Sequence, residues 1–130
     1  MIESATLRQK HEMFLATTLR TLWEKAHGPV FGNVRVLVGP DSVAAWIENA
    51  FSSAEWAAIR RPEGQQLVQQ YADQLLTTIL PDLRTQVETV ADRRIVSGSV
   101  RADVDTGHVL CFFVLGERRE VSRPDARSQP

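Results

Sequence analysis

The chain has 130 residues, of which 43% are hydrophobic and 24% are charged, and its formal net charge is −1. These values fit one globular domain with a single hydrophobic core, and the near-neutral charge gives no general attraction to nucleic acid or anionic membranes. No apolar run approaches the roughly 20 residues that span a bilayer, and the N-terminus lacks the pattern of a signal peptide. The single cysteine, Cys111, cannot form an internal disulfide. We therefore expect a cytoplasmic protein that binds neither nucleic acid nor membrane.

The first element in chain order is an amphipathic helix over residues 4–26. Its apolar residues recur at spacings of three and four, which places on one face Leu7, Phe14, Leu15, Leu19, Leu22, Trp23 and Ala26. Gly28 and Pro29 end this helix. Two strands follow, over residues 34–38 and 43–49, and the turn between them is Gly39-Pro40-Asp41-Ser42. This pattern predicts an antiparallel hairpin.

The middle of the chain predicts two helices. Ser52 and Glu55 have the spacing of a capping box, which starts a short helix over residues 53–60. A longer helix is predicted over residues 63–91. Its apolar stripe consists of Leu67, Val68, Tyr71, Leu75, Ile79, Leu83, Val87 and Val90. Pro81 lies inside this stripe and should kink or split the helix, because proline cannot donate the backbone hydrogen bond.

The C-terminal part predicts a second hairpin, over residues 95–104 and 108–115, with the turn Asp105-Thr106-Gly107. Residues 117–130 are polar and charged, so we expect a disordered tail after one domain over residues 1–116. The predicted order is helix-strand-strand-helix-helix-strand-strand. Short hairpin connections favour an α+β two-layer sandwich, with helices on one face of an antiparallel four-stranded sheet.

Several landmarks along this plan carry a family resemblance. In chain order they are Trp23-Glu24-Lys25, Gly28-Pro29, the hairpin with Asp41, the helix start from Ser52 to Glu55, and Glu63-Gly64. In these features the chain resembles DUF 2294, a bacterial domain of unknown function, over about residues 5–116. The resemblance implies a small bacterial cytoplasmic protein and implies no activity. The family's Gly-x-Gly-Pro turn is Ala26-His27-Gly28-Pro29 here, and Gln65 and Gln66 stand where the family tends to carry an arginine.

Candidate catalytic and metal-binding groups do not form a convincing site in the sequence. His108 and Cys111 are three residues apart on a strand, so their side chains point to opposite faces. Asp103, Asp105 and His108 could gather a metal, but the same residues are typical of a tight turn. The chain has no glycine-rich phosphate loop. We predict no catalytic residue, no metal site and no cofactor.

The strands predict an interaction surface instead. Two of them are apolar on both faces, whereas the sheet face opposite the helices should meet water. The candidate residues of this surface are Leu37, Trp46, Leu110, Phe112 and Val114, with Trp56 as a further anchor for a partner. A second copy of the chain is the expected cover, since twofold dimers are the commonest assembly. The alternative cover is the helix containing Pro81, or the tail.

These features predict a non-enzymatic, homodimeric binding or interaction module with an unknown protein or small-molecule partner. The alternative is a small enzyme or ligand sensor whose site lies at the dimer seam. That site would use His27, Cys111 or the arginine doublets at residues 60–61, 93–94 and 118–119.

Overall fold

A computed structural model describes residues 2–118 of the chain. Its elements are α1 (Ile2–His27), β1 (Val34–Val38), β2 (Ser42–Ile47), α2 (Ser53–Ile59), α3 (Pro62–Ala91), β3 (Arg93–Asp103) and β4 (His108–Arg118). The predicted order of helices and strands is confirmed. Most predicted boundaries agree within two residues; β3 begins two residues earlier and β4 ends three residues later than the pattern indicated. The predicted disordered tail lies outside the described residues, apart from its first two positions, which extend β4.

The four strands form one antiparallel sheet in the order β1-β2-β4-β3. Each predicted hairpin is present, and the central contact joins β2 of the first hairpin to β4 of the second. The register pairs Val36 with Ala45 and Ala45 with Cys111. The α+β fold with an antiparallel four-stranded sheet is therefore confirmed.

The core lies between the helices and the inner face of the sheet. Its largest fully buried side chains are Trp23, Phe113, Leu19, Ile47, Val43, Val87 and Val109. The helices thus bury most of the inner side of the sheet, and burial of large apolar side chains contributes about 1.5–3 kcal/mol each. Within residues 2–118, no helix covers the opposite side of the sheet, which is called here the outer face.

Several residues predicted in the core are instead exposed. Leu7 and Phe14 of α1 are 53% and 50% exposed, and Leu67 of α3 is 65% exposed. Periodicity shows which residues share one face of a helix, but not how much of that face packs on the core. Apolar residues at the margin of the face can therefore remain in solvent. Alternation along β3 would place Val96 on the inner side with Val100 and Ala102, but Val96 is 64% exposed. Register irregularities between Arg93 and Ser97 change the side to which it points.

The capping box predicted at the start of α2 and the glycine stop predicted at the end of α1 are both present. The amide of Glu55 donates to Ser52 Oγ at 3.2 Å, and the amide of Ser52 donates to Glu55 Oε1 at 2.7 Å, so the capping box is complete. Gly28 has φ = 117°, and its amide donates to the carbonyl of Glu24. A positive φ of this size favours glycine and ends α1 before Pro29.

Pro81 does not split α3, which is one helix from Pro62 to Ala91. We expect Pro81→Ala to raise the free energy of unfolding by about 2 kcal/mol. An interior proline destabilises a helix by about 3 kcal/mol. Proline also reduces the conformational entropy of the unfolded chain, which offsets up to about 1 kcal/mol of this loss. The control is Pro62→Ala, at the first helical position, where no amide is needed and no gain is expected. Urea unfolding of the two variants measures the difference, and equal effects would contradict this explanation.

Candidate functional site

The outer face of the sheet carries a band of apolar side chains that crosses three strands. In one row of paired residues lie Leu37 of β1, Ala44 of β2, Phe112 of β4 and Ser99 of β3. The next row contains Arg35, Trp46, Leu110 and Arg101, and a third contains Ser42, Val114 and Ser97. The structure therefore brings the five strand residues of the predicted surface onto one face.

These side chains are substantially uncovered within residues 2–118. Leu37 is 58%, Phe112 is 47% and Leu110 is 36% exposed, whereas Trp46 and Val114 are half-buried among their neighbours. Phe112 lies at the centre of the band. Its ring is exposed because its neighbours on either side, Ala44 and Ser99, have small side chains. An apolar sheet face with an exposed aromatic ring can pack against another surface of the same kind.

Charged pairs flank the band at both edges. On the β1–β2 side, Arg35 Nε lies 3.2 Å from Glu48 Oε2, and Trp46 Nε1 donates to the same oxygen at 3.4 Å. Desolvation raises the pKa of Glu48, but hydrogen bonds from Trp46 and Arg35, and the Arg35 charge, outweigh it and hold the pKa below its ordinary value. On the β3 side, Arg101 Nη2 lies 3.7 Å from Asp103 Oδ2.

A groove of about 420 Å³ continues the band past the edge of β1. It lies between α1 and β1, and its apolar lining includes Met13, Leu37 and Trp46. Met13 is 71% exposed, more than Leu7 or Phe14 of the same helix. The uncovered apolar surface is therefore wider than the strands alone predicted.

Trp56 lies on α2 rather than on a strand of the outer face. Its ring covers the Cα of Gly107 in the β3–β4 turn, meets Phe51 edge-on at 6.0 Å, and donates from Nε1 to Asn49 Oδ1 at 3.0 Å. These contacts join α2 to the turn of the second hairpin. They give Trp56 a role in holding that turn in place.

Cys111 faces the core and is 3% exposed, whereas His108 pairs with Asp103 on the other side of the sheet. Burial raises the pKa of the Cys111 thiol to about 12, so it stays a neutral thiol at any physiological pH. We expect iodoacetamide at pH 8 to leave the folded protein unmodified and to alkylate it once it is unfolded in urea. Mass spectrometry reads the modification; rapid alkylation of the folded chain would contradict this burial.

A pair that the sequence did not predict joins α1 to α2. His27 Nε2 lies 2.6 Å from Glu55 Oε1, the same oxygen that accepts from the amide of Ser52. The His27 ring stacks on Trp23 at 4.9 Å, and its side chain is only 3% exposed. The available signals were a histidine at the helix end and a capping glutamate. The two residues are 28 positions apart, and no local pattern links them.

The remaining candidates have structural contacts. At the hairpin tip the amide of Asp105 donates to Asp103 Oδ1 at 3.0 Å, as in a tight turn. Arg93 donates to the carbonyls of Gly116 and Pro40 and to Asp41 Oδ1, so it joins the two hairpins. Over residues 2–118, no group of three or more histidine, cysteine or acidic side chains is arranged to hold a metal ion.

The fold and this surface define a small two-layer α+β protein with an uncovered, largely apolar sheet face. The model of the family described as "Na+-translocating membrane potential-generating system (MpsC)" matches residues 7–117, so the chain belongs to that family. DUF 2294 is an identifier of the same family, and the resemblance found in the sequence is confirmed. Comparison with curated proteins and with solved structures gave no significant match. None of the helices in the part of the chain that the structure describes could cross a membrane.

Proposed function

We propose that this chain is a non-enzymatic interaction module that works as a homodimer, with the outer face of one copy packed on the outer face of the other. The observation that carries the proposal is the uncovered apolar band of Leu37, Phe112 and Leu110, with Trp46 at its side. Contiguous apolar surface of this kind on a soluble domain usually marks an interface.

The apolar band supports a second copy as the occupant, because a twofold dimer pairs one surface with the same surface of the other copy. A twofold axis between the sheets and parallel to the strands would place β1 of one copy over β3 of the other. The Arg35–Glu48 ion pair of one copy would then lie against the Arg101–Asp103 pair of the second copy, so each rim would bring together two internally neutralised pairs. The apolar band would pack on itself at the centre, where Phe112 projects.

Phe112 is the residue on which this interface should depend most. Central aromatic side chains that become fully desolvated contribute most of the affinity at typical interfaces, whereas rim charges contribute less. The family description supplies the setting: we place the module in a Na+-translocating, membrane-potential-generating system, where it acts by binding rather than by catalysis.

The test is the self-association of a Phe112→Asp variant. A carboxylate at the centre of the seam would be buried without a partner, and we expect the dissociation constant of the dimer to rise at least about 100-fold. Phe31→Asp is the matched control, because Phe31 is 93% exposed in the loop after α1 and lies outside the sheet. Sedimentation equilibrium measures both, and circular dichroism checks that both variants are folded.

Two results would contradict the proposal. One is a wild-type chain that remains monomeric at micromolar concentration. The other is a Phe112→Asp variant that dimerises as tightly as the Phe31→Asp control, because the seam would then lie elsewhere on the molecule.

A further inference from the structure

We propose that the free edge of β3 binds an extended, basic peptide segment of a partner, which adds to the sheet as a fifth strand. The inference rests on the proposed function, since it names the kind of partner that a non-enzymatic module binds. The edge of β3 lies at the side of the sheet, whereas the seam covers its outer face, and the two surfaces meet only at Arg101 and Asp103.

The pairing register shows which backbone groups of β3 are free. The amide of Leu115 donates to Asp41, and hydrogen bonds between antiparallel strands alternate, so the odd-numbered residues of β4 bond to β2 and the even-numbered ones bond to β3. Their partners in β3 are Ser97, Ser99 and Arg101. The backbone groups of the intervening residues, 98, 100 and 102, therefore point away from the sheet.

Side chains close this edge at both ends and leave its middle open. Glu88 Oε2 accepts from the amide of Ile95 at 2.8 Å, and Gln69 Nε2 donates to the carbonyl of Ala102 at 3.0 Å. Between them, among the described residues, no side chain bonds to the backbone of Gly98 or Val100. Such an edge is the template that extended peptides use when they bind by strand addition.

The opposite edge of the sheet is less available. The strand there, β1, has only five residues, and Glu12 of α1 accepts from the amide of Val38 at 2.9 Å. The strand β3 has eleven residues, and Gly98 is exposed although it lies on the side of β3 that faces the helices. The helix layer therefore leaves the middle of the β3 edge uncovered, between the contacts of Glu88 and Gln69, and another strand can pair there.

A groove beside this edge indicates which side chains the bound strand would carry. It has a volume of about 480 Å³, lies between α3 and β3, and has apolar walls that include Leu76 and Val100. Its carboxylates are those of Asp73, Asp103 and Asp105.

Arg101, which lies 3.7 Å from Asp103, is the one basic residue among the residues that line the groove, so the lining is net acidic. Charge complementarity therefore selects a strand whose side chain in the groove is an arginine or a lysine.

The experiment titrates the full chain, labelled with ¹⁵N, with a synthetic peptide of alternating threonine and valine that has one central arginine and blocked termini. We expect amide shifts at Gly98, Val100 and Ala102, and slower hydrogen exchange at the first two. A peptide with glutamate at the central position should bind at least about tenfold more weakly. The Asp73→Asn, Asp105→Asn double variant should lose a similar factor for the arginine peptide and little for the glutamate peptide.

Val100→Pro tests the backbone part of the inference. It removes an amide that points away from the sheet, and proline is tolerated on edge strands, so the pairing with β4 is kept and peptide binding should be lost. If the Val100→Pro variant fails to fold, the Asp73→Asn, Asp105→Asn double variant still tests peptide binding at this edge.

Two results would overturn the inference: peptide-induced shifts confined to the outer face around Phe112, or equal binding of the two peptides. Sedimentation of the same samples separates the two proposals. A Phe112→Asp chain that is monomeric and still binds the peptide supports both the dimer seam and the peptide-binding edge. If Val100→Pro instead abolishes an assembly larger than the dimer, the β3 edge pairs with another copy of the chain and not with a peptide.

Discussion

Trp23→Ala is expected to lower the free energy of unfolding by about 4 kcal/mol, the largest effect of any single substitution considered for this chain. Trp23 is fully buried at the centre of the core, and its indole Nε1 donates to the carbonyl of Ala50 at 3.1 Å. The alanine variant leaves a large cavity and an unpaired carbonyl. It also removes the surface on which the buried His27 ring stacks.

Trp23→Phe separates the two contributions. It keeps most of the apolar volume and loses the hydrogen bond to Ala50, so we expect a loss of about 2 kcal/mol. Phe31→Ala is the control for removing an aromatic ring, because a 93% exposed side chain should change stability by less than about 0.5 kcal/mol. Urea denaturation followed by circular dichroism measures all three. A loss below about 1.5 kcal/mol for Trp23→Ala would contradict the central position of Trp23 in the core.

Gly64→Ala is expected to destabilise the fold by about 2 kcal/mol or more, although alanine is the better helix former by about 1 kcal/mol. A Cβ atom built on Gly64 would lie 1.8 Å from the carbonyl oxygen of Ala58, so the corner between α2 and α3 closes only around a glycine. This contact gives a physical reason for the Glu63-Gly64 landmark in the sequence.

Gly39→Ala is the matched control for that substitution. A Cβ atom there would lie 3.3 Å from Ser42 Oγ, a flexible side chain, and we expect a change within about 1 kcal/mol. Thermal unfolding of the two variants compares them directly. A Gly64→Ala protein that is as stable as wild type, or more stable, would contradict the close packing of α2 on α3.

The elements that could be predicted from sequence are those whose signal is local. Ser52 and Glu55 are three residues apart, and their capping box is present with both hydrogen bonds. Alternation predicts the strand over residues 34–38, and an apolar run predicts the strand over residues 108–115. The apolar residues on the second side of β2 and β4 indicate which side chains share the outer face.

The features that could not be predicted depend on contacts between distant parts of the chain. The irregular register near the start of β3 turned Val96 to solvent, and only the pairing with β4 reveals it. The contact of His27 with Glu55 depends on how α1 meets α2, and the packing of Trp56 on Gly107 depends on where the second hairpin ends. Residue spacing contains none of this information.

The β3 edge was missed for a related reason. Ser97 and Ser99 are typical of a strand with one solvent-exposed face, and such a strand can lie at the edge or in the middle of a sheet. Whether a strand lies at the edge of a sheet depends on the order of strands, which here places β4 between β2 and β3. The acidic residue of α3 beside that edge, Asp73, is 30 positions away from Asp103 and joins it in one groove only after folding.

The most direct test of the central claim is the mass of the wild-type chain, measured by native mass spectrometry at micromolar concentration. The proposed seam predicts a species of twice the 14.6 kDa chain mass. It also predicts that Phe112→Asp converts this species to the single chain mass, whereas Phe31→Asp does not. A wild-type protein that shows only the single chain mass would contradict the account, because the apolar band around Phe112 would then have no second copy to cover it.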